Sequence, residues 1–380
     1  MTTQQHIPLY CRGAYSTKFG ELWDKSLEDL AKEATEGVLE NAGIPARKVD
    51  AIFVSNMAAE QFEGQAHLGA LVSSFFTHVP PAVRVEAACA SGGVAVIQAE
   101  QALLSGLYTT VLVVGVEKMT DSTNQATEIL SAAAHRKREY GSTFPGLYAL
   151  LTKAYTQKYG EIRDVLSAIS VKNHSNALTN PNAQFHKKIT STMVEKSPLV
   201  ADPLRMLDCS PLSDGAAAIL LSTEPPPNTK YPVQVIGFGQ GQDSLDLAHR
   251  SSLTSLRATK RAAKVAYARA GCTAKDIEVA EVHDCFTTAE LLAMEDLGFC
   301  REGTAPAKLR SKKTSPKQKI NLSGGLKASG HPVGATGVKQ VAYLYSLLSE
   351  GKYTTALAHN VGGSGATAVV HILSTKKGKK

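Results

Sequence analysis

Two cysteines and two histidines of this chain, Cys89, His283, Cys285 and His331, are of types that can serve as nucleophile, acid or base, and each sits in a string that borders a regular element. Val83–Leu104 reads VRVEAACASGGVAVIQAEQALL: strand-like Val83 and Val85 give way to a run of small residues around Cys89, and a helix follows. A thiol at that junction would face unpaired backbone N–H groups and the positive end of the helix dipole, which favour thiolate. Ala88, Ala90, Ser91, Gly92 and Gly93 leave room for a ligand carbonyl to approach the backbone. An isolated cysteine of this kind is more often a small buried residue in a tight turn. The rest of the chain has to decide.

Three strings in the second half bear on that decision. Val282–Phe286 reads VHDCF, Asn321–Gly337 reads NLSGGLKASGHPVGATG, and Ala358–Gly365 reads AHNVGGSG. Each borders a regular element, where strands can aim loop residues into one crevice. Taken singly, His283 or His331 reads as a satisfied turn histidine and the glycine pairs as turns. No glycine string opens a dinucleotide-binding unit.

The elements that must position these residues are legible as a repeat. Asp24–Gly43 reads as an amphipathic helix with a Ser26/Asp29 capping box and a glycine stop, and Val49–Met57 and Leu107–Val116 as buried strands. Leu27–Met57 aligns with Ser255–Cys285 at an offset of 228, Tyr108–Thr110 with Tyr353–Thr355 at 245, and Gly92 then meets Gly337. The extra residues are assigned to the Lys-rich loop 303–319. A duplicated α/β domain follows. Residues 1–120, completed by 201–224, form the first half; 121–200 is an inserted loop domain with helices at Leu147–Tyr159 and Asp164–Ala177; 233–380 is the second half, ending in a basic tail at Lys376–Lys380 expected to be disordered.

Composition bounds the function. A chain of 380 residues, 43% hydrophobic and 20% charged, can bury a large core. Six cysteines without a C-x-x-C pair argue against a zinc site or disulfide framework and for reduced thiols in a cytoplasmic setting. No apolar run is long enough to span a bilayer, and the first residues lack a secretion pattern. The net charge of +7, without basic–aromatic alternation, suits a phosphate-bearing small molecule better than nucleic acid.

With Cys89, the set resembles the thiolases, enzymes that cleave or form 3-ketoacyl-CoA, over nearly the whole chain. The matching strings are ACASGGVAV, GVEKMTD, CSPLSDGAAA, HDCF, GHPVGATG and HNVGG. Most thiolases carry Asn-Glu-Ala-Phe where this chain has His283-Asp284-Cys285-Phe286, and Cys-x-Gly where it has Asn360-Val361-Gly362. That pattern is similar to the sterol-carrier-protein-type thiolases and their archaeal and bacterial relatives. Lys327 departs from the apolar residue common after the glycine pair.

The resemblance implies a thiolase fold: duplicated βαβαβαββ halves, two sheets in a five-layer α-β-α-β-α arrangement, with the inserted loop domain. It implies Cys89 as acyl acceptor, His331 as its base, Cys285 as the acid/base at the α-carbon, and His283 as donor to the enolate oxygen. The N–H groups of Cys89 and Gly362 would hold the second oxyanion; Asn360 either replaces the missing cysteine as a hydrogen bonder or is structural. Phe286 would pack on pantetheine, and Arg136, Arg138 and Lys187 would meet the CoA phosphates, a solvated surface being the competing reading. No metal or cofactor is implied beyond CoA as substrate. Partners implied are acyl-CoA, CoA, a second copy paired through the first-half sheet (homodimer or homotetramer), and, by analogy alone, an HMG-CoA synthase complex. Alternatives are an acyl-CoA-binding or scaffold protein, or an HMG-CoA-synthase-like condensing enzyme, whose catalytic glutamate has no evident place here.

Overall fold

The computed structural model describes residues 7–311 and 318–376. Most of the basic tail and part of the 303–319 loop therefore lie outside the described residues. The first half runs β1 (Leu9–Ser16), α1 (Leu27–Ala42), β2 (Ala51–Ser55), α2 (Ala59–Phe62), α3 (Leu68–Ser73), β3 (Ala82–Val85), α4 (Ser91–Leu104) and β4 (Thr110–Glu117). Four helices follow, α5 (Thr123–Ser131), α6 (Phe144–Tyr159), α7 (Arg163–Ala177) and α8 (Ser191–Lys196), with a small ribbon of β5 (Leu199–Ala201) and β6 (Leu204–Arg205). β7 (Gly215–Ser222) then returns beside β4. The second half runs β8 (Val233–Gln242), α9 (Arg257–Ala270), β9 (Val279–Glu281), α10 (Thr287–Asp296), α11 (Ala305–Arg310), β10 (Lys319–Ile320), α12 (Gly325–Ser329), α13 (Thr336–Ser349), β11 (Thr355–Gly362) and β12 (Thr367–Ser374).

The duplication holds at the level of individual caps. α1 starts on the Ser26/Asp29 capping box and stops at Gly43 with φ 62°; α9 stops at Gly271 with φ 61°. Each stop leads through a single 3-10 turn, Ala46–Lys48 or Ala274–Asp276, into a buried strand. The strand orders match too, β3-β2-β4-β7-β1 and β10-β9-β11-β12-β8. The extra residues of the second half fall on both sides of β10, partly in the stretch 321–335 that carries α12 and His331, and not in the 303–319 loop alone.

The two expected sheets are joined. Leu9–Cys11 of β1 pairs antiparallel with Val233–Val235 of β8, because each is the edge strand of its half, and one ten-stranded sheet results. The five layers survive this join. α4 and α13 touch strands of both halves and form the middle layer, while α1 and α3 cover one outer face and α9 the other. β4, β7 and β11 are buried along their whole length, as strands covered on both faces must be. The repeat-related glycines meet at the centre: a Cβ on Gly92 would lie 2.7 Å from the Gly337 nitrogen. That close approach brings the N-termini of α4 and α13, and the loops before them, together.

Candidate active site

Cys89 lies between Ala88, a non-glycine residue at φ 52°, and the first turn of α4. Ser91 braces this bend: its hydroxyl accepts from Ala87 N at 2.8 Å and donates to Ala88 O at 2.6 Å. The Gly363 N–H is directed at the Cys89 sulfur. Cys89, Cys285, Phe286, His331, Tyr148 and Gly363 line one cavity of about 380 Å³. The Cys89 sulfur and ring nitrogens of His283 and His331 lie within 4.8 Å of one another. The two imidazoles meet edge to face, 5.1 Å between centroids. Residues nearly 250 positions apart in sequence thus share one pocket.

Hydrogen bonding fixes opposite tautomers on the two rings. The Thr336 hydroxyl donates to Pro332 O at 3.0 Å, so at its other contact, 2.7 Å from His331 Nδ1, it accepts. His331 therefore carries its proton on Nδ1 and presents a lone pair at Nε2. Asn360 Nδ2 donates to His283 Nδ1 at 3.2 Å, which leaves the proton on Nε2. That Nε2 is buried and has no protein partner. One ring is set as an acceptor and the other as a donor.

Asn360 also ties the halves together. Its Oδ1 accepts from Gly93 N at 3.0 Å and its Nδ2 donates to Cys89 O at 2.9 Å. Burial, followed by the nearby charge of Lys339, pushes His331 down to about 3; burial and the other histidines hold His283 well below its ordinary value. Both rings are neutral at working pH. Burial also pushes the Cys89 thiol up to about 12, and raises Cys285 well above its usual range. Desolvation thus works against the helix terminus, which favours the thiolate.

Buried acids hold the loops that carry these groups. Glu117 accepts from Met57 N, Ala58 N, Asn56 Nδ2 and Gly334 N at 2.8–3.0 Å, pinning the His331 loop to the first half. Asp214 accepts from Lys118 Nζ, Met119 N and Thr120 N. Asp284 accepts from Leu326 N and from Asn173 Nδ2, both at 2.6 Å. Glu117 and Asp214 sit in GVEKMTD and CSPLSDG, strings that signalled the family without signalling these roles. Asn173 and Tyr148 come from the inserted helices and had no signal in the sequence.

The residues expected to meet CoA fare unequally. Phe286 lines the cavity and stacks on Tyr148, 4.6 Å between centroids. Arg136 is exposed and lines an adjoining cleft of about 740 Å³ that shares Thr127, Ser131 and Thr143 with the first. Arg138 is engaged with Asp246 at 3.0 Å, and Lys187 is exposed and lines neither. Gly362 ends β11, but the amide aimed at the Cys89 sulfur is that of Gly363. Lys327 is buried, 3.5 Å from His174 Nε2, and leaves His331 undisturbed.

Cys89, His283 and His331 have ligand types and spacing that a soft divalent cation could use. Asn360 opposes it, since a metal on His283 Nε2 would force a proton onto Nδ1 against the amide donor. Turning the amide over would break its bonds to Gly93 and Cys89.

Comparison with known proteins shows the family. Residues 11–225 match the model of the thiolase N-terminal domain, and residues 239–375 that of the thiolase C-terminal domain. An acetyl-CoA acetyltransferase of Methanothermobacter thermautotrophicus is 43% identical over 375 residues, 95% of this chain and 98% of that one. Sterol carrier protein 2 of Gallus gallus is 33% identical, over 94% of this chain and 70% of its own length. The solved structure of an Ltp2-ChsH2(DUF35) aldolase superposes with a TM-score of 0.81 at 21% identity, covering 98% of this chain and 99% of that one, a likeness of fold. The chain belongs to the thiolase family.

Proposed function

We propose that this acyltransferase carries out reversible, CoA-dependent cleavage of 3-ketoacyl-CoA, and the reverse condensation of acetyl-CoA, through an acyl thioester on Cys89. The observation that carries this reading is the gathering of Cys89, His283 and His331 within 4.8 Å, in the cavity that Cys285 also lines. His331 Nε2 takes the thiol proton as the Cys89 sulfur attacks the acyl carbonyl. Nearby amides, that of Cys89 and one from the Gly362-Gly363 turn, steady the oxyanion. In the second half-reaction Cys285 exchanges a proton with the α-carbon of acetyl-CoA, and His283 Nε2–H donates to the enolate oxygen. Asn360 keeps that proton on Nε2. No step draws on a metal or on any cofactor other than CoA as substrate.

CoA would enter across the inserted helices, with Phe286 beside pantetheine and Arg136 in the outer cleft facing phosphate. A homodimer is supported by β3, an edge strand with Val83 half exposed. A complex with an HMG-CoA synthase stays an analogy. A cytoplasmic setting rests on six free cysteines. No helix among the described residues is long and apolar enough to cross a membrane.

The test follows acetoacetyl-CoA consumption on adding CoA, repeated with longer 3-ketoacyl chains. Cys89→Ala is expected to abolish covalent acyl transfer. Wild-type protein that consumes no chain length would leave the acyl-CoA-binding reading in its place.

A further inference from the structure

Tyr148 is, with Tyr155, among the largest fully buried side chains of the described residues, and it lines the proposed catalytic cavity. It belongs to α6, which the Thr152 hydroxyl, 2.7 Å from that of Thr288, fastens to α10. Its ring stacks on Phe286. Stacking alone would be served by phenylalanine, and a buried hydroxyl needs partners. The phenol oxygen has two: Gly363 O at 3.4 Å, near the limit of a hydrogen bond, and the Cys285 thiol. The Gly363 peptide therefore has its N–H towards Cys89 and its carbonyl towards Tyr148.

One phenolic proton cannot serve both partners. With Cys285 as thiol, S–H donates to the phenol oxygen and the phenol donates to Gly363 O. With Cys285 as thiolate, the phenol turns and donates to sulfur. Burial makes that thiolate costly, so a donor beside it matters more here than in water.

We propose that Tyr148 is a positioning residue that holds the Cys285 sulfur and donates a hydrogen bond to its thiolate during proton transfer at the substrate α-carbon. The Cys285 thiol gives its proton to the CoA sulfur that departs when Cys89 is acylated, and the thiolate so formed takes the α-proton and becomes a thiol again. The C–H electron pair moves into the enolate, whose oxygen bears the charge and accepts from His283. The Tyr148 proton stays on its own oxygen and returns to Gly363 O. The inference rests on the reading of Cys285 as the acid/base.

The test is deuterium exchange into the methyl group of acetyl-CoA across pH, with Cys89 acetylation followed in parallel. Tyr148→Phe is expected to slow exchange about tenfold or more near neutral pH and to move its rise about one pH unit upward. Cys89 acetylation should fall less than exchange does. An exchange profile superposing on wild type overturns the proposal. Cys285→Ala separates the two claims: if it exchanges at the wild-type rate, the acid/base reading falls as well. If Cys285→Ala is silent while Tyr148→Phe is unchanged, only the role of Tyr148 falls. Should Tyr148→Phe fail to fold, 3-fluorotyrosine at position 148, a stronger donor, must move the profile to lower pH. An unmoved profile again overturns the proposal.

Discussion

Replacing Thr336 by valine removes one oxygen and nearly no volume, and it tests the tautomer assigned to His331. In the native fold the hydroxyl accepts from His331 Nδ1 at 2.7 Å and donates to Pro332 O, an order that leaves Nε2 as the acceptor for the Cys89 proton. The ring is buried, so in the valine variant an Nδ1–H would face methyl groups with nothing to bond. A buried donor left in that state costs about 1–3 kcal/mol. The ring escapes by moving its proton to Nε2, where it can no longer act as base. Recovering the reactive tautomer costs the same about 1–3 kcal/mol, which is roughly 5- to 150-fold in rate.

The assay is single-turnover acetylation of Cys89 by acetyl-CoA, quenched and read by intact mass. Thr336→Ser keeps the hydroxyl and should stay within about threefold of wild type. Because His331 is pushed down to about 3, it is uncharged throughout the working range, so the valine deficit should be the same at pH 6 and pH 9. A valine variant that folds and acetylates within about twofold of wild type would refute the reasoning: either Thr336 does not set the tautomer, or His331 is not the base.

Two further outcomes follow from the supports of the site. Glu117→Gln turns two of four inward-facing donors against an amide NH2, so urea denaturation at pH 8 should show a loss of about 2–6 kcal/mol. A loss under about 1 kcal/mol would mean that the carboxyl, which burial pushes up to about 7, is protonated in the resting fold. Gly92→Ala places a methyl 2.7 Å from the Gly337 nitrogen, backbone that cannot step aside, and should cost about 1–3 kcal/mol and slow Cys89 acetylation. Wild-type stability in that variant would show that the two helices have slack where they cross.

What the sequence made legible and what it hid divide along a physical line. The Ser26 cap, the glycine stops and the apolar strands depend on neighbours a few residues away, and each was readable from spacing alone. The join of β1 to β8 depends on two edges meeting across more than two hundred residues, and no local pattern marks it. The site divides the same way. Cys89, His283, Cys285 and His331 stand out because their strings match a family; Cys89, Cys285 and His331 line one cavity, and His283 lies within 4.8 Å of Cys89 and His331. The helix terminus at Cys89 is advertised locally by the strand–helix junction, whereas the burial that raises its thiol is set by packing that no local string shows. Asn360 has two sequence readings, hydrogen bonder or structural residue, and geometry gives it both: it bridges the halves, and it decides which nitrogen of His283 carries the proton. Tyr148 lay in a stretch with neither motif nor repeat, and only packing against Phe286 and the HDCF turn brings its hydroxyl to a sulfur. Motifs mark the candidate reacting atoms. The atoms that tune them are chosen by the fold: Thr336, Asn360, Glu117 and Asp214 come from the two halves, Tyr148 and Asn173 from the segment inserted between them.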